Sequence, residues 1–221
     1  MQEAQPHFIA ILPRGELQSK ILDCKSAVRG AVGNQLYVTD PPHLTVFLAS
    51  FQDRNLLCNS LKELTTALVS PVIRMEGWHV FEQDCLTGNN TLVIKINDSD
   101  KETLRSLQNK VIERTAELRD QRASLCRYQA AWQTLSQERR NAVEQFGFPF
   151  LGSDWQPHFT IASIRPSDWE RAWSELRNQP VLGSYTDFEL ALFALDGNEP
   201  VRIQTFGLDS RKGMPLIEKA P

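Results

Sequence analysis

Cysteine is scarce in this 221-residue chain: there are four, Cys24, Cys58, Cys85 and Cys126, and none forms a Cys-x-x-Cys pair. Such spacing excludes a zinc ribbon or a dithiol redox motif and points to reduced thiols. The chain also lacks any apolar run approaching the roughly 18 to 20 residues that cross a bilayer. No basic segment followed by a long apolar core stands at its start. A cytoplasmic protein with no membrane association is therefore expected. Positive charge is not in excess either: 24 Lys and Arg face 27 Asp and Glu, for a net charge of -3 and a pI near 5.8. That balance excludes a protein that coats long nucleic acid, because neutralising a row of phosphates needs surplus Lys and Arg. A local basic groove remains compatible with it. What the chain does have, 41% hydrophobic and 23% charged residues, is the composition of an ordinary globular protein. Its length is enough to bury about 70 per cent of the surface that the unfolded chain would expose.

Histidine is as scarce as cysteine, yet two of the four histidines sit in one phrase written twice, Pro42-His43-Leu44-Thr45 and Pro157-His158-Phe159-Thr160. Each copy runs into an apolar stretch, Val46-Phe47-Leu48-Ala49 and Ile161-Ala162-Ser163-Ile164, so each His-x-Thr heads an expected strand. Alternate side chains of a strand share a face, which projects His and Thr together. A single His at the head of a strand can simply be a hydrogen-bonded edge residue. Two copies with matching flanks point instead to two imidazoles and two hydroxyls around one small anion. His7 and His79 have no such company and read as structural.

The phrase opens a longer repeat. After His43 come a short strand, a helix opened by Asp53 with Leu57, Leu61, Leu64 and Leu68 on one face, Pro71-Val72, and a strand through Trp78, Val80 and Phe81. That strand breaks at Thr87-Gly88-Asn89-Asn90 and resumes as Leu92-Val93-Ile94-Lys95-Ile96, a hairpin signal. After His158 come a strand, a capping box from Ser167 to Glu170, a helix, and Pro180-Val181. The strand Phe188 to Phe193 follows, then a turn at Asp196-Gly197-Asn198-Glu199 and the strand Val201 to Phe206. The simplest account is one bilobal domain over 1–221, with one lobe at roughly 36–97 and the other at roughly 155–208. Outside the repeat lie a strand at Phe8 to Leu12, a helix with Leu17, Ile21, Val28 and Val32 on one side, and a helical insert over roughly 99–145. The insert is capped by Asp98 or Ser99 and carries Leu104, Val111, Leu118 and Leu125 seven apart. The intervening heptad positions Leu107, Arg114 and Gln121 supply no second apolar row, so packing against the chain's own lobes is expected over a coiled coil.

The paired Pro-His-x-Thr phrases and the two-lobed strand, helix and hairpin order resemble the 2H phosphoesterase superfamily, which includes the bacterial 2′-5′ RNA ligase-like proteins and the cyclic nucleotide phosphodiesterases. The resemblance implies an α+β fold of two pseudo-symmetric lobes. Each would be an antiparallel sheet with helices on its outer face, and the two would enclose a central groove. It also implies opening of a nucleoside or RNA 2′,3′-cyclic phosphate to the 2′-phosphate, with no metal and no other cofactor. Carried over residue by residue, His43, Thr45, His158 and Thr160 match the family's functional pairs. Two departures put the substrate in question: many relatives carry an Arg five positions past the His, where this chain has Leu48 and Ser163, and the insert is long.

Histidine suits the implied chemistry because its ordinary pKa, about 6.5, allows one imidazole to take a proton from water while another gives one to the departing alkoxide. Thr45 and Thr160 would donate to the non-bridging oxygens. Arg165 is a candidate phosphate clamp or a turn residue before Pro166. Phe148 and Trp155, with Phe146 and Phe150, are candidates for a base-stacking face or for anchors of the following strand. Three other readings compete with a monomeric cyclic phosphodiesterase acting on a nucleotide or an RNA end. They are a nucleotide-binding module without turnover, RNA 2′-5′ end-joining by the same site, and a zinc hydrolase using the two histidines with Asp40 or Asp154. The motifs lack the close His-x₃-His spacing common among zinc hydrolases.

Overall fold

A computed structural model of the chain describes residues 4–197 and 199–209, so Asn198 of the second expected turn lies outside the described residues. Among the described residues there are eight strands: β1 (Gln5–Pro13), β2 (Leu44–Phe51), β3 (Ile73–Phe81), β4 (Asn90–Ile96), β5 (His158–Ile164), β6 (Leu182–Tyr185), β7 (Phe188–Asp196) and β8 (Glu199–Gly207). They form two four-stranded antiparallel sheets, in the orders β2-β1-β7-β8 and β5-β4-β3-β6. Both motif strands are therefore edge strands, one per sheet, and they approach each other between the sheets. The architecture is the expected α+β pair of related sheets.

The lobes are not the contiguous segments 36–97 and 155–208. The β3–β4 hairpin, which follows the first motif, pairs with β5 of the second, and the β7–β8 hairpin pairs with β1 beside the first motif. The cause is the strand that stands outside the repeat. β1, buried along seven consecutive positions from His7, already fills the inner side of β2, so the hairpin after β2 must find another sheet. Each sheet is thus built from both halves of the chain.

Helices cover the outer faces. The helix α1 (Gly15–Val32) buries Leu17, Ile21, Cys24, Lys25 and Val28, and packs on β5 and on α6 (Trp169–Leu176). In α2 (Arg54–Thr66) the Asp53 carboxylate accepts from the amides of Asn55 and Leu56, a cap that contributes about 1 kcal/mol and confirms Asp53 as the start of the helix. The capping box at the start of α6 does not form: Pro166–Asp168 is a 3₁₀ turn, and the helix starts at Trp169, with Asp168 in the cap position and no side-chain cap bond. The Asp168 carboxylate instead accepts from Gln35 and Arg165.

The insert is three helices, not one: α3 (Lys101–Thr115), α4 (Gln121–Arg127) and α5 (Gln137–Phe146). Asn97, one residue earlier than expected, caps the 3₁₀ turn that leads into α3. Leu104 and Val111 are fully buried, while Leu118 and Leu125 pack partly buried against the same core from separate segments. The insert folds onto α2 and β2, as expected over a coiled coil. It ends in Gly147, left-handed at φ 80, where a Cβ would stand 2.7 Å from the Cβ of Ser124. Glycine thus lets α5 close on α4 and turn the chain toward Phe148. No helix among the described residues is long and apolar enough to cross a membrane.

Candidate active site

A groove of about 940 Å³ lies between the sheets, and His43, Thr45, His158 and Thr160 all line it. Two matching devices aim these side chains. Opposite β1, Ile9 pairs with Phe47 and Ala10 with Thr45, which leaves Val46 as an extra, bulged residue. Opposite β4, Leu92 pairs with Ala162 and Val93 with Thr160, which leaves Ile161 bulged in the same way. Each bulge falls three residues past its His and bends the strand just after the Thr. Leu48, five past His43, therefore also faces the groove, while Ser163, five past His158, is buried and donates to the Thr87 hydroxyl at 2.8 Å. Neither position brings charge to the site.

The two imidazoles are held alike. His43 Nδ1 lies 2.8 Å from the Pro41 carbonyl, and His158 Nδ1 lies 2.7 Å from the Gln156 carbonyl. A carbonyl only accepts, so each Nδ1 carries the proton and each Nε2 is a lone-pair acceptor in the neutral ring. Neither Nε2 and neither threonine hydroxyl has a hydrogen-bond partner among the described residues.

Their surroundings differ. His43 rests on the stacked pair Phe8 and Phe193, with ring centroids 5.1 Å and 6.0 Å away. Burial against this apolar wall pushes its pKa down to about 4, against the Pro41 hydrogen bond, and the positive fields of Lys25 and His158 push the same way. His158 meets the edge of Phe81 at 5.1 Å. Burial lowers its pKa too, against the Gln156 hydrogen bond; here the carboxylate of Asp84 favours the charged form, while His79 opposes it. Asp84 sits in the loop 82–89 between β3 and β4, which forms one lip of the groove. It accepts from Thr91 Oγ1 at 2.8 Å and from the Leu86 amide.

The other expected residues divide. Arg165 does not line the groove, and its guanidinium donates to Asp168 at 2.8 Å, so the turn reading replaces the phosphate clamp. Phe148 and Trp155 do line the groove, but they are 6% and 4% exposed, and Phe148 is wedged edge-on between Phe47 and Phe150. They form part of its wall, and at that burial they offer no open face for stacking. Phe146 lies away from the groove, where its carbonyl accepts from Arg119. Arg139 covers Phe150 and binds Asp154 at 2.6 Å, which ties up the carboxylate considered for a zinc site. Among the described residues no group of three His, Cys, Asp or Glu is placed to hold a metal ion. His7 is buried outside the groove with Nδ1 on the Gln5 carbonyl, and His79 packs on Phe81. All four cysteines are free thiols.

Sequence reasoning missed Lys25, Asp84 and the lip formed by residues 82–87. Lys25 had a visible signal: a lysine four positions from Ile21 and three from Val28, on the apolar face of α1. The lip had none, because its polar residues read only as a turn.

Over residues 17–199 the chain matches the family described as the 2′-5′ RNA ligase superfamily. It belongs to that family. Members of the 2′-5′ RNA ligase superfamily are 2H phosphoesterases, so phosphoesterase or ligase chemistry is implied. Among solved structures, TT0787 of Thermus thermophilus is similar at 17% identity and a TM-score of 0.52, covering 93% of this chain and 99% of that one. E. coli LigT, solved with NADP+, is similar at 13% identity and a TM-score of 0.48, covering 95% and 100%. Usb1 of Kluyveromyces marxianus follows at 10% identity and 0.44, covering 90% and 97%. No curated protein sequence matches the chain.

Proposed function

We propose that the protein is a cyclic phosphodiesterase that opens a 2′,3′-cyclic phosphate of a nucleotide or RNA end to the 2′-phosphate, with its two histidines as general base and general acid. The observation that carries this reading is the matched pair of imidazoles, each fixed through Nδ1 with its Nε2 unpartnered, on edge strands of opposite sheets around one groove. In-line displacement at phosphorus needs a base and an acid on opposite sides of the reacting atom.

The unequal fields support one division of the roles. His43, beside Lys25 and against two phenylalanines, is neutral across the ordinary pH range and takes a proton from water. His158, lowered by burial as well but with its charged form favoured by the Asp84 carboxylate, gives its proton to the 3′ oxygen as the P–O bond breaks. Water supplies the new P–O bond, its proton resides on His43, and the proton of His158 leaves with the alcohol. Thr45 and Thr160, with free hydroxyls, donate to the non-bridging oxygens as charge builds there.

The test is to incubate the purified protein, with a chelator present, with the four nucleoside 2′,3′-cyclic monophosphates and a short RNA bearing a 2′,3′-cyclic end, resolving 2′- from 3′-phosphate. Turnover to the 2′-phosphate that vanishes in His43→Ala and His158→Ala is expected. Turnover in either single variant at the wild-type rate, or dependence on a metal, contradicts the proposal.

A further inference from the structure

One cation of the groove enters the two-histidine scheme only through its field on His43. Lys25 is 4% exposed on the inner face of α1, yet it lines the groove with His43 and Thr45. Its Nζ donates to the Tyr37 carbonyl at 2.6 Å and to the Ile161 carbonyl at 3.0 Å. An ammonium has three N–H donors, so one is left over. No carboxylate among the described residues forms an ion pair with it, and Asp40 acts on it only as a weaker, more distant field. Two neutral carbonyls orient this cation without cancelling its charge, and a buried cation without a counter-charge is costly.

Its two anchors are the features that shape the site. Ile161 is the bulged residue behind Thr160. Tyr37, in the left-handed region at φ 68, belongs to the loop that leads into the first motif. One ammonium is thereby tied to both motifs at once. Burial lowers its pKa to about 8, which leaves it charged at neutral pH, and its field reaches His43. Two other cations line the groove: Arg139, which is already engaged by Asp154, and Arg127 at the end of α4, which acts on Tyr37 and on Tyr128 and is tied to neither motif.

We propose that Lys25 is the phosphate-binding cation of this site, its spare N–H donating to a non-bridging oxygen of the phosphate held between the two imidazoles. The inference deepens the cyclic phosphodiesterase reading and rests on it only for the identity of the phosphate ester. The competing role is a strap that merely joins α1 to the two motif loops, and inorganic phosphate separates the two.

The experiment titrates inorganic phosphate into the full chain, as wild type, Lys25→Met and Lys25→Arg, by calorimetry and ³¹P line broadening, with thermal melting in parallel. Loss of one charge-assisted hydrogen bond should weaken phosphate binding about 10- to 100-fold in Lys25→Met. Lys25→Arg should stay within a few-fold of wild type. In the wild type, affinity should also fall as pH rises through about 8, where Lys25 loses its proton. Of the other titratable groups facing it, His43 and His158, both lowered, are already deprotonated there and Tyr37, raised, keeps its proton, while burial raises the Asp40 carboxyl against the field of Lys25. The pH series needs no variant, so it decides the matter even if Lys25→Met does not fold. Absent wild-type binding, equal binding in Lys25→Met with only a lower melting temperature, or a flat profile through pH 8 would each overturn the proposal. Phosphate binding lost in Lys25→Met, in a wild type that opens no cyclic phosphate, would leave Lys25 standing and remove the hydrolase reading.

Discussion

The two Pro-His-x-Thr motifs are alike in sequence and in backbone, and unlike in the field around them. Both imidazoles give Nδ1 to a carbonyl two residues back, and both strands carry a bulge three residues past the His. His43, however, lies on stacked phenylalanines within the field of Lys25, whereas His158 lies under a lip that carries Asp84. A duplicated motif thus supplies two identical tools, and residues outside the motif set their protonation apart. Those residues come from β1, β7, α1 and the loop 82–89, none of which belongs to the repeated phrase.

The comparison can be broken most severely at the imidazoles. His43→Ala and His158→Ala should each lower kcat by about 10² to 10⁴. The double variant should lose less than the product of the two, because the pair acts as a unit. Steady-state rates on a cyclic nucleotide check this, and multiplicative losses would count against a coupled pair. Next come the hydroxyls: Thr45→Val and Thr160→Val should each cost about 10² in kcat, with KM changed little, if they act on charge that builds in the transition state.

The pH profile sharpens the comparison further. A base works above its pKa and an acid below its own, so kcat/KM should be bell-shaped. Its rising limb should lie near the lowered value of His43, about 4, and its falling limb below the ordinary 6.5 of an imidazole. The two apparent values belong to the coupled pair. Asp84→Asn removes the field that favours charged His158, so the falling limb should move to lower pH while the rising limb stays. A falling limb that does not move denies Asp84 its part.

The smallest effect is on stability. Both folded-state pKa values are lowered, so the unfolded chain binds these protons more readily between the folded values and 6.5. The stability they contribute is present above pH 6.5 and is lost as pH falls through the folded values. Urea midpoints at pH 7 and pH 5 should show the fall, and His43→Phe should flatten it. An equal fall in that variant would place the titration elsewhere.

Much of this was legible in the chain because strands, turns and the doubled phrase are local signals. Asp53 marked a helix start, and Leu104 and Val111 marked a core face. The swap of hairpins between sheets was not legible, since periodicity says that a strand exists and not which strand it pairs with. The bulges at Val46 and Ile161 were hidden for the same reason: they exist only relative to a partner's register. Arg165 misled because closeness in sequence to Thr160 placed it near the site, whereas the turn at Pro166 directs it to Asp168. Phe148 and Trp155 line the groove, but their exposure, on which stacking depends, is set by packing that no local pattern shows.

The most direct measurement is a ¹⁵N NMR titration of the histidine side chains in the wild-type chain, assigned with His43→Ala and His158→Ala. The account predicts that both neutral rings carry the proton on Nδ1, and that His43 titrates at a lower pH than His158. A neutral His43 protonated on Nε2, or a His158 that titrates at or below the midpoint of His43, would contradict it.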